Sequence, residues 1–396
     1  MNLSFDIWVI IASRATTRRG VFYKATFYSL VQSSRLLSSA VYTCINELNL
    51  NFETSIRSLS NMINLTQIQT ISYVPDLLLT RLTSLSLYKI RGYADLSALR
   101  LTSLRMHHIK HDIILPTTLV DLTVTGNVSQ NLSAFTNLRH LSLAASSGLH
   151  SYEKLNLHSL KILGGLPETL PALRELDVMY CSRAIHDLPT TLTRLSISNC
   201  RNMCSIVGLV ALTDLSLGTC NVTETPAGLI RLVSDVKLDV RHLTNLRTLD
   251  MRCAEHDGWR SLTTLESLCL NQKFEIPSTF TKLRELQLNH TPDFTCLPNS
   301  LRKLQIDSKN TVTEADIQCL TMLDELIITG VNCGVIRAIK SLTALTTLEI
   351  SCIYNLWDNN AQSYPNDYSM MTNLRQFRTI RCPIGTRFLP HVELIV

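Results

Sequence analysis

Charged side chains are scarce in this chain: Asp, Glu, Lys and Arg make up 17% of its 396 residues. That scarcity excludes a charged, disordered tail or a solvated polyelectrolyte segment. Glycine and proline are also sparse, at 13 and 12 residues, so no Pro/Gly-rich low-complexity stretch interrupts the chain. No apolar run approaches the ~18 residues of a membrane-spanning helix. A glycine-rich phosphate loop, G-x-S-x-G, H-E-x-x-H and the kinase signatures are all missing. The sequence therefore predicts a protein that is no enzyme and needs no cofactor. Its twelve cysteines show no zinc spacing: Cys200 and Cys204 lie close together, but no matching Cys or His pair follows. His107, His108 and His111 cluster near one strand end and could supply two metal ligands, but no Cys or carboxylate trio converges on them in sequence, and they read as solvated histidines.

The net charge is +5, and +4 of it lies in residues 1–45, where Arg14, Arg18, Arg19, Lys24 and Arg35 face only Asp6. The remainder is nearly neutral. It carries no basic stripe, so no nucleic-acid partner is expected, and the missing apolar span predicts no membrane contact.

What the chain does have is repetition. Leu173-Arg-Glu-Leu176-Asp-Val178-Met-Tyr-Cys181 returns as Leu192-Thr-Arg-Leu195-Ser-Ile197-Ser-Asn-Cys200 and again as Leu212-Thr-Asp-Leu215-Ser-Leu217-Gly-Thr-Cys220. The pattern L-x-x-L-x-[LIVM] starts at Leu82, Leu101, Leu119, Leu138, Leu157, Leu173, Leu192, Leu212, Val233, Leu246, Leu265, Leu283, Leu301, Leu323, Leu345 and Leu374, with a mean step near 19.5 residues. Weaker copies occur at Ile45–Leu50 and Leu65–Thr70. The step of 13 from Val233 to Leu246 is irregular, and Leu229 is an alternative anchor.

Each copy alternates apolar and polar residues, as a half-buried strand does. One strand per copy cannot bury its apolar side alone, whereas stacked copies share a continuous core. In these residues the chain resembles the leucine-rich repeat family over roughly 45–380. The resemblance implies a leucine-rich repeat solenoid of the α/β class, with a parallel β-sheet on its concave face. Proline in Leu115-Pro116, Leu188-Pro189 and Leu297-Pro298 disfavours helix. With so short a period, it predicts extended or 3₁₀ segments on the convex face. The ninth position of the unit, where Asn127, Cys181, Cys200 and Cys220 stand, would bond the backbone of the turn or sit as a small buried thiol. Free thiols and the absence of clustered terminal cysteines suggest a reducing compartment, cytoplasmic or nuclear.

The third, fifth and seventh positions of each unit would line the concave face, a platform roughly 75 Å long for sixteen strands at ~4.8 Å. Candidate target-binding residues there are Arg105, His107, Asp121, Glu175, Asp177, Arg194, Asp214, Asp235, Asp239, Asp250 and Arg252. From Glu175 to Arg252 the row, read with Val233 as anchor, carries six acidic and three basic side chains. The expectation is a mildly acidic band suited to a basic macromolecular partner, set against the plainer reading of a merely soluble face.

Residues 1–44 lie outside the repeat. Ile7–Ala12 is apolar but has no basic region before it, so it reads as a helix capped by Asp6 rather than a signal peptide. Leu3-Ser4-Phe5-Asp6-Ile7-Trp8-Val9-Ile10-Ile11 and Leu30-Val31-Gln-Ser-Ser-Arg35-Leu36-Leu37 together resemble an F-box. Ser4 replaces the family's proline, and Thr16–Lys24 lacks its Asp-Leu pair. This resemblance implies a substrate-recognition subunit of an SCF-type E3 ubiquitin ligase. Its helical segment would dock onto a Skp-type adaptor through Leu3, Phe5, Ile7, Trp8, Ile11, Leu30 and Val31, while the solenoid holds a target protein. The organisation expected is an F-box-like helical segment at 1–44, a solenoid at 45–377 and a C-terminal cap at 378–396, in a monomer. Two rivals stand beside it. One is an intracellular repeat scaffold whose N-terminal helices only cap the solenoid. The other is a secreted or surface recognition protein, for which the sequons at Asn2, Asn64, Asn127, Asn131, Asn221 and Asn289 would be glycan sites.

Overall fold

The computed structural model describes residues 17–18, 21–22, 47–50, 66–70, 81–88, 94–109, 113–126, 131–144, 155–164, 166, 170, 173–181, 185, 187–222, 224–252, 256–272, 275–290, 292–307, 312–331, 333–352, 366–367, 370–380, 386–387 and 392–395. The chain forms two compact units, Met1–Leu192 with Cys200–Asn202, and Thr193–Asn199 with Met203–Val396.

In the first unit, strands Glu47–Leu50, Gln67–Thr70, Ser84–Leu87, Ser103–Ile109, Asp121–Gly126, His140–Leu143, Ser159–Leu163 and Glu175–Met179 pair in parallel, each with its neighbours in sequence. In the second, Arg194–Ser198, Asp214–Leu217, Arg231–Ser234, Thr248–Met251, Ser267–Leu270, Glu285–Leu288, Lys303–Asp307, Glu325–Val331, Thr347–Cys352, Gln376–Ile380 and Glu393–Ile395 do the same. This is a solenoid of leucine-rich repeats with a parallel sheet along one side.

The register is uniform because the fourth and sixth positions of each turn are core. Leu104, Leu195, Leu249, Leu268 and Leu326 at the fourth, with Leu87, Ile197 and Leu288 at the sixth, are at most 1% exposed. Each such leucine contributes about 2 kcal/mol of burial. Backbone pairing fixes the start of every strand. The carbonyl of position two accepts two N–H groups from the next turn: Val120 and Asp121 both donate to Thr102, and Arg139 and His140 both donate to Val120. Threonine recurs at position two because its hydroxyl reaches the same carbonyl one turn back, as Thr102 does to Thr83 at 3.2 Å and Thr346 to Asp324 at 3.0 Å. A hydroxyl just before the first leucine forms a second ladder: Thr118 to Leu101 and Thr191 to Leu173, each 2.7 Å, and Ser300 to Leu283, 2.8 Å.

The eighth position turns the chain off the sheet. It adopts left-handed backbone at His108, Gly126, Gly164, Tyr180, Asn199 and Gly330. Opposite the sheet, 3₁₀ turns at Leu132–Ala134, Trp259–Ser261 and Phe294–Cys296 match the expectation for a short period. Two turns differ. The steps from Leu301 to Leu323 and from Leu323 to Leu345 are both 22 residues, and they contain the short α-helices Glu314–Gln318 and Cys333–Ile339. Three extra residues give room for a helical turn, and Thr313 and Asp316 close a capping box at the first.

The register at Val233 is corrected. Leu232, not Val233 or Val236, stands level with Leu215 and Leu249, which makes Leu229 the first position. The steps of 21 and 13 become two steps of 17. Within the stretch 378–396 expected as a C-terminal cap, Glu393–Ile395 pairs in parallel with Gln376–Ile380. The F-box-like segment lies outside the described residues except for Thr17–Arg18 and Val21–Phe22. These form a short antiparallel pair in what the sequence treats as a basic loop.

Candidate interaction face

The open side of the sheet carries the third, fifth and seventh positions. They alternate with the core along each strand, so core packing determines which side chains reach this face.

In the first unit Arg105 is exposed, and His107 stacks on Tyr88 with ring centroids 4.8 Å apart and 20° between planes. His107 Nδ1 lies 3.3 Å from the Thr125 hydroxyl. Partial burial, then the neighbouring His108 and Arg105, push the pKa of His107 below the usual histidine value. Asp121 faces His140 across the ladder at 3.9 Å, and the Lys161 ammonium lies 2.7 Å from Asp177. Glu175 is half-buried one position before Asp177 on the same face.

In the second unit Arg194, Asp214 and Arg231 alternate in sign on three successive strands. Asp214 accepts from the Thr213 hydroxyl at 2.8 Å. Arg252 donates to Asp250 at 3.2 Å. Beside Asp250 stands Cys269, whose thiol is pushed up to about 12, first by burial and then by the Asp250 charge. That thiol stays protonated and is no nucleophile at neutral pH. Lys303 bridges to Glu325 at 2.9 Å and Arg378 to Glu349 at 3.6 Å.

The sequence-predicted residues Arg105, His107, Asp121, Glu175, Asp177, Arg194, Asp214, Asp235, Asp250 and Arg252 fall at the third, fifth or seventh position of their turns, by the register of the strands they lie on or follow. Asp239 does not. With Leu229 as first position, Asp239 and Lys237 move to the segment behind the sheet, where the backbone of Asp239 forms an isolated parallel β-bridge with that of Asp257. Their places on the face go to Arg231 and Val233. The stretch from Arg194 to Arg252 then carries three acidic and three basic side chains. The expected acidic band is therefore balanced in the second unit, and in the first Lys161 neutralises Asp177. Sequence reasoning passed over His140, Lys161, Lys303, Glu325, Glu349 and Arg378. The third- and fifth-position rule would have found each of them.

Among the described residues no group of three His, Cys, Asp or Glu side chains is placed to hold a metal. No described helix is long and apolar enough to cross a membrane.

Stacked strands one per repeat, apolar residues inward and hydroxyl ladders along the turns define the class: a leucine-rich repeat solenoid protein. No family model and no curated protein matches the chain. Among solved structures it is similar to the mouse RP105/MD-1 complex, with 14% identity, 89% of this chain and 77% of that chain covered, and a TM-score of 0.53. It is also similar to the Listeria monocytogenes internalin InlF, with 15% identity, 89% and 92% covered and a TM-score of 0.30. The functional domain of InlJ from the same organism, described as including a cysteine ladder, shares 15% identity over 88% and 81%, with a TM-score of 0.34.

Proposed function

We propose that this chain is a protein-interaction module and the substrate-recognition subunit of an SCF-type E3 ubiquitin ligase. The open face of the solenoid holds the target protein. Residues 1–44 dock onto a Skp-type adaptor through Leu3, Phe5, Ile7, Trp8, Ile11, Leu30 and Val31. The chain performs no bond chemistry itself; it raises the effective concentration of target beside the ligase.

The observation that carries the interaction reading is the extent of the open face. In the second unit alone eleven strands follow one another, about 50 Å at ~4.8 Å per strand, with side chains that the core does not use. Such a surface suits a macromolecule better than a small molecule. Charges of both signs are interspersed along it, from Arg194, Asp214 and Arg231 to Lys303 with Glu325 and Arg378 with Glu349, which favours a partner recognised by shape and paired polar contacts. The ligase role is supported by the F-box-like residues of 1–44. A reducing, cytoplasmic or nuclear setting is supported by Cys269 and Cys319, which are free thiols.

The test is co-purification of the full chain with a purified Skp-type adaptor, beside the double variant Ile7→Asp, Trp8→Ala. Capture of the wild type and loss of capture in a folded variant support the adaptor role. A folded wild type that is not captured reduces residues 1–44 to an end cap and leaves a repeat scaffold.

A further inference from the structure

In the second unit, two successive turns break the polar pattern of the edge beside the sheet. Elsewhere hydroxyl rungs line that edge, such as Thr213 to the Thr193 carbonyl at 3.1 Å and Thr264 to the Leu246 carbonyl at 2.8 Å. In the turn that starts at Leu229 the two rung positions hold Gly228 and Ile230, so both hydroxyls are missing. Asp214 is level with Arg231 and Leu215 with Leu232, which puts each residue of this turn beside the one 17 earlier. Ala227 therefore lies beside Val210, Gly228 beside Ala211 and Ile230 beside Thr213. The two turns are in close contact: a Cβ on Gly228 would stand 3.4 Å from the Val210 carbonyl oxygen and 3.5 Å from that of Leu212.

This edge is apolar and faces solvent. Val207 is 50% exposed, Val210 81% and Ile230 42%, and Ala211 and Ala227 are exposed with them. Eight large apolar side chains stand exposed among the described residues, and three of them fall on these two turns. Single exposed apolar residues are ordinary, whereas a contiguous group marks a surface that another molecule covers.

The charges at its margin say what covers it. On the following turn Arg241 and Arg247 are already held by Asp239 and Glu266. The apolar run of the Leu229 turn is bracketed by Glu224 at one end and Arg231 at the other. Both side chains are exposed, and neither has an ion pair or a side-chain hydrogen bond within the described residues. A free carboxylate and a free guanidinium at opposite ends of one apolar run are complementary to the same run turned end for end.

We propose that this edge is the contact between two copies of the chain. A two-fold axis midway between Glu224 and Arg231 lays the two runs antiparallel. Glu224 of each copy meets Arg231 of the other, and Ile230 of each reaches over Ala227 of the other. Val210 widens the apolar contact on the side of the Leu212 turn. The monomer expected from the sequence becomes a symmetric dimer. Its contact runs along the edge of the sheet, and no step of it rests on the ligase reading.

The test is sedimentation velocity on the full chain at pH 7, from about 1 to about 100 µM. We expect a reversible monomer–dimer equilibrium in the wild type. Ile230→Thr/Val210→Ser puts a rung residue back at position two and changes only exposed side chains. It keeps the thermal midpoint and weakens association about tenfold or more. Arg231→Glu dissociates the dimer as well, and Glu224→Arg/Arg231→Glu restores it, because each ion pair re-forms with its ends exchanged. Such rescue requires the two residues to meet between copies, since within one chain they stand at opposite ends of the run. A wild type that stays monomeric throughout overturns the proposal. So does association untouched by Ile230→Thr/Val210→Ser, an open series of larger species, or a double charge reversal that associates no more tightly than the single one.

Discussion

The hydroxyl of Ser234 donates to the carbonyl of Val236 at 2.8 Å and accepts the N–H of the same residue at 3.1 Å. Ser234 is fully buried at a core position where the neighbouring turns place Leu217 and Met251. A polar side chain is tolerated there only because both of its bonds are made. Ser234→Ala is a more apolar side chain in an apolar core, yet it strands a backbone donor and acceptor. We expect a loss of about 1–3 kcal/mol, read as a lower urea midpoint at an unchanged slope.

The anchor at Leu229 makes a second prediction. Leu229 and Leu232 are both 0% exposed. Leu232→Ala should cost about 2–5 kcal/mol, whereas Val236→Ala, at a half-buried turn position, should cost less than about 1 kcal/mol. The reverse order, measured by chemical denaturation, would restore Val233 as the first position of the turn.

These two sites show where the sequence was legible. Wherever positions four and six are both large and apolar, as at Leu195 and Ile197 or Leu215 and Leu217, the alternation located strand, core and open face together. It failed at Leu232-Val233-Ser234, where the sixth position is serine and the fifth, on the open side of the sheet yet only 7% exposed, is valine. The repeat then reads four residues late, with Val236 and Leu238 in place of Leu232 and Ser234, and Asp239 is carried onto the wrong side. The hydroxyl ladders were visible as recurrent Thr, but their acceptors one turn back were not, because they depend on stacking. The hydrogen bond from the Leu238 N–H to the buried His256 left no signal at all. It joins residues from two turns whose pairing becomes known only once the register is corrected.

Gly258 has φ of 76°, a left-handed conformation, and a Cβ added there would overlap Arg241 Cγ. Arg241 is held over it by Asp239, whose pKa is drawn down to about 2 by hydrogen bonds from the Arg241 side chain and then its backbone. Gly258→Ala therefore carries two costs, a left-handed alanine of about 1–2 kcal/mol and a displaced arginine. The double variant Gly258→Ala/Arg241→Ala should recover the second but not the first. A double-mutant cycle on the thermal midpoint reads the coupling; a coupling of zero would show that the arginine moves aside freely.

His256 gives the fold a dependence on acid. Its pKa is about 4 in the folded chain against an ordinary value of 6.5, so below pH 6.5 the unfolded chain binds a proton that the folded chain refuses. The neutral ring imposes no penalty above that pH. As pH falls from 6.5 towards 4 the unfolded state gains, and the folded state loses up to roughly 3 kcal/mol. Below about 4 the folded ring protonates too and the loss levels off. His256→Gln keeps an acceptor for the Leu238 N–H but does not titrate. The difference in unfolding free energy between wild type and His256→Gln should therefore be flat above pH 7 and drift steadily against the wild type down to pH 4. Exposed carboxylates titrate in both proteins and cancel in the difference. A difference that stays constant over this window would mean that the imidazole is charged, or solvated, in the folded chain.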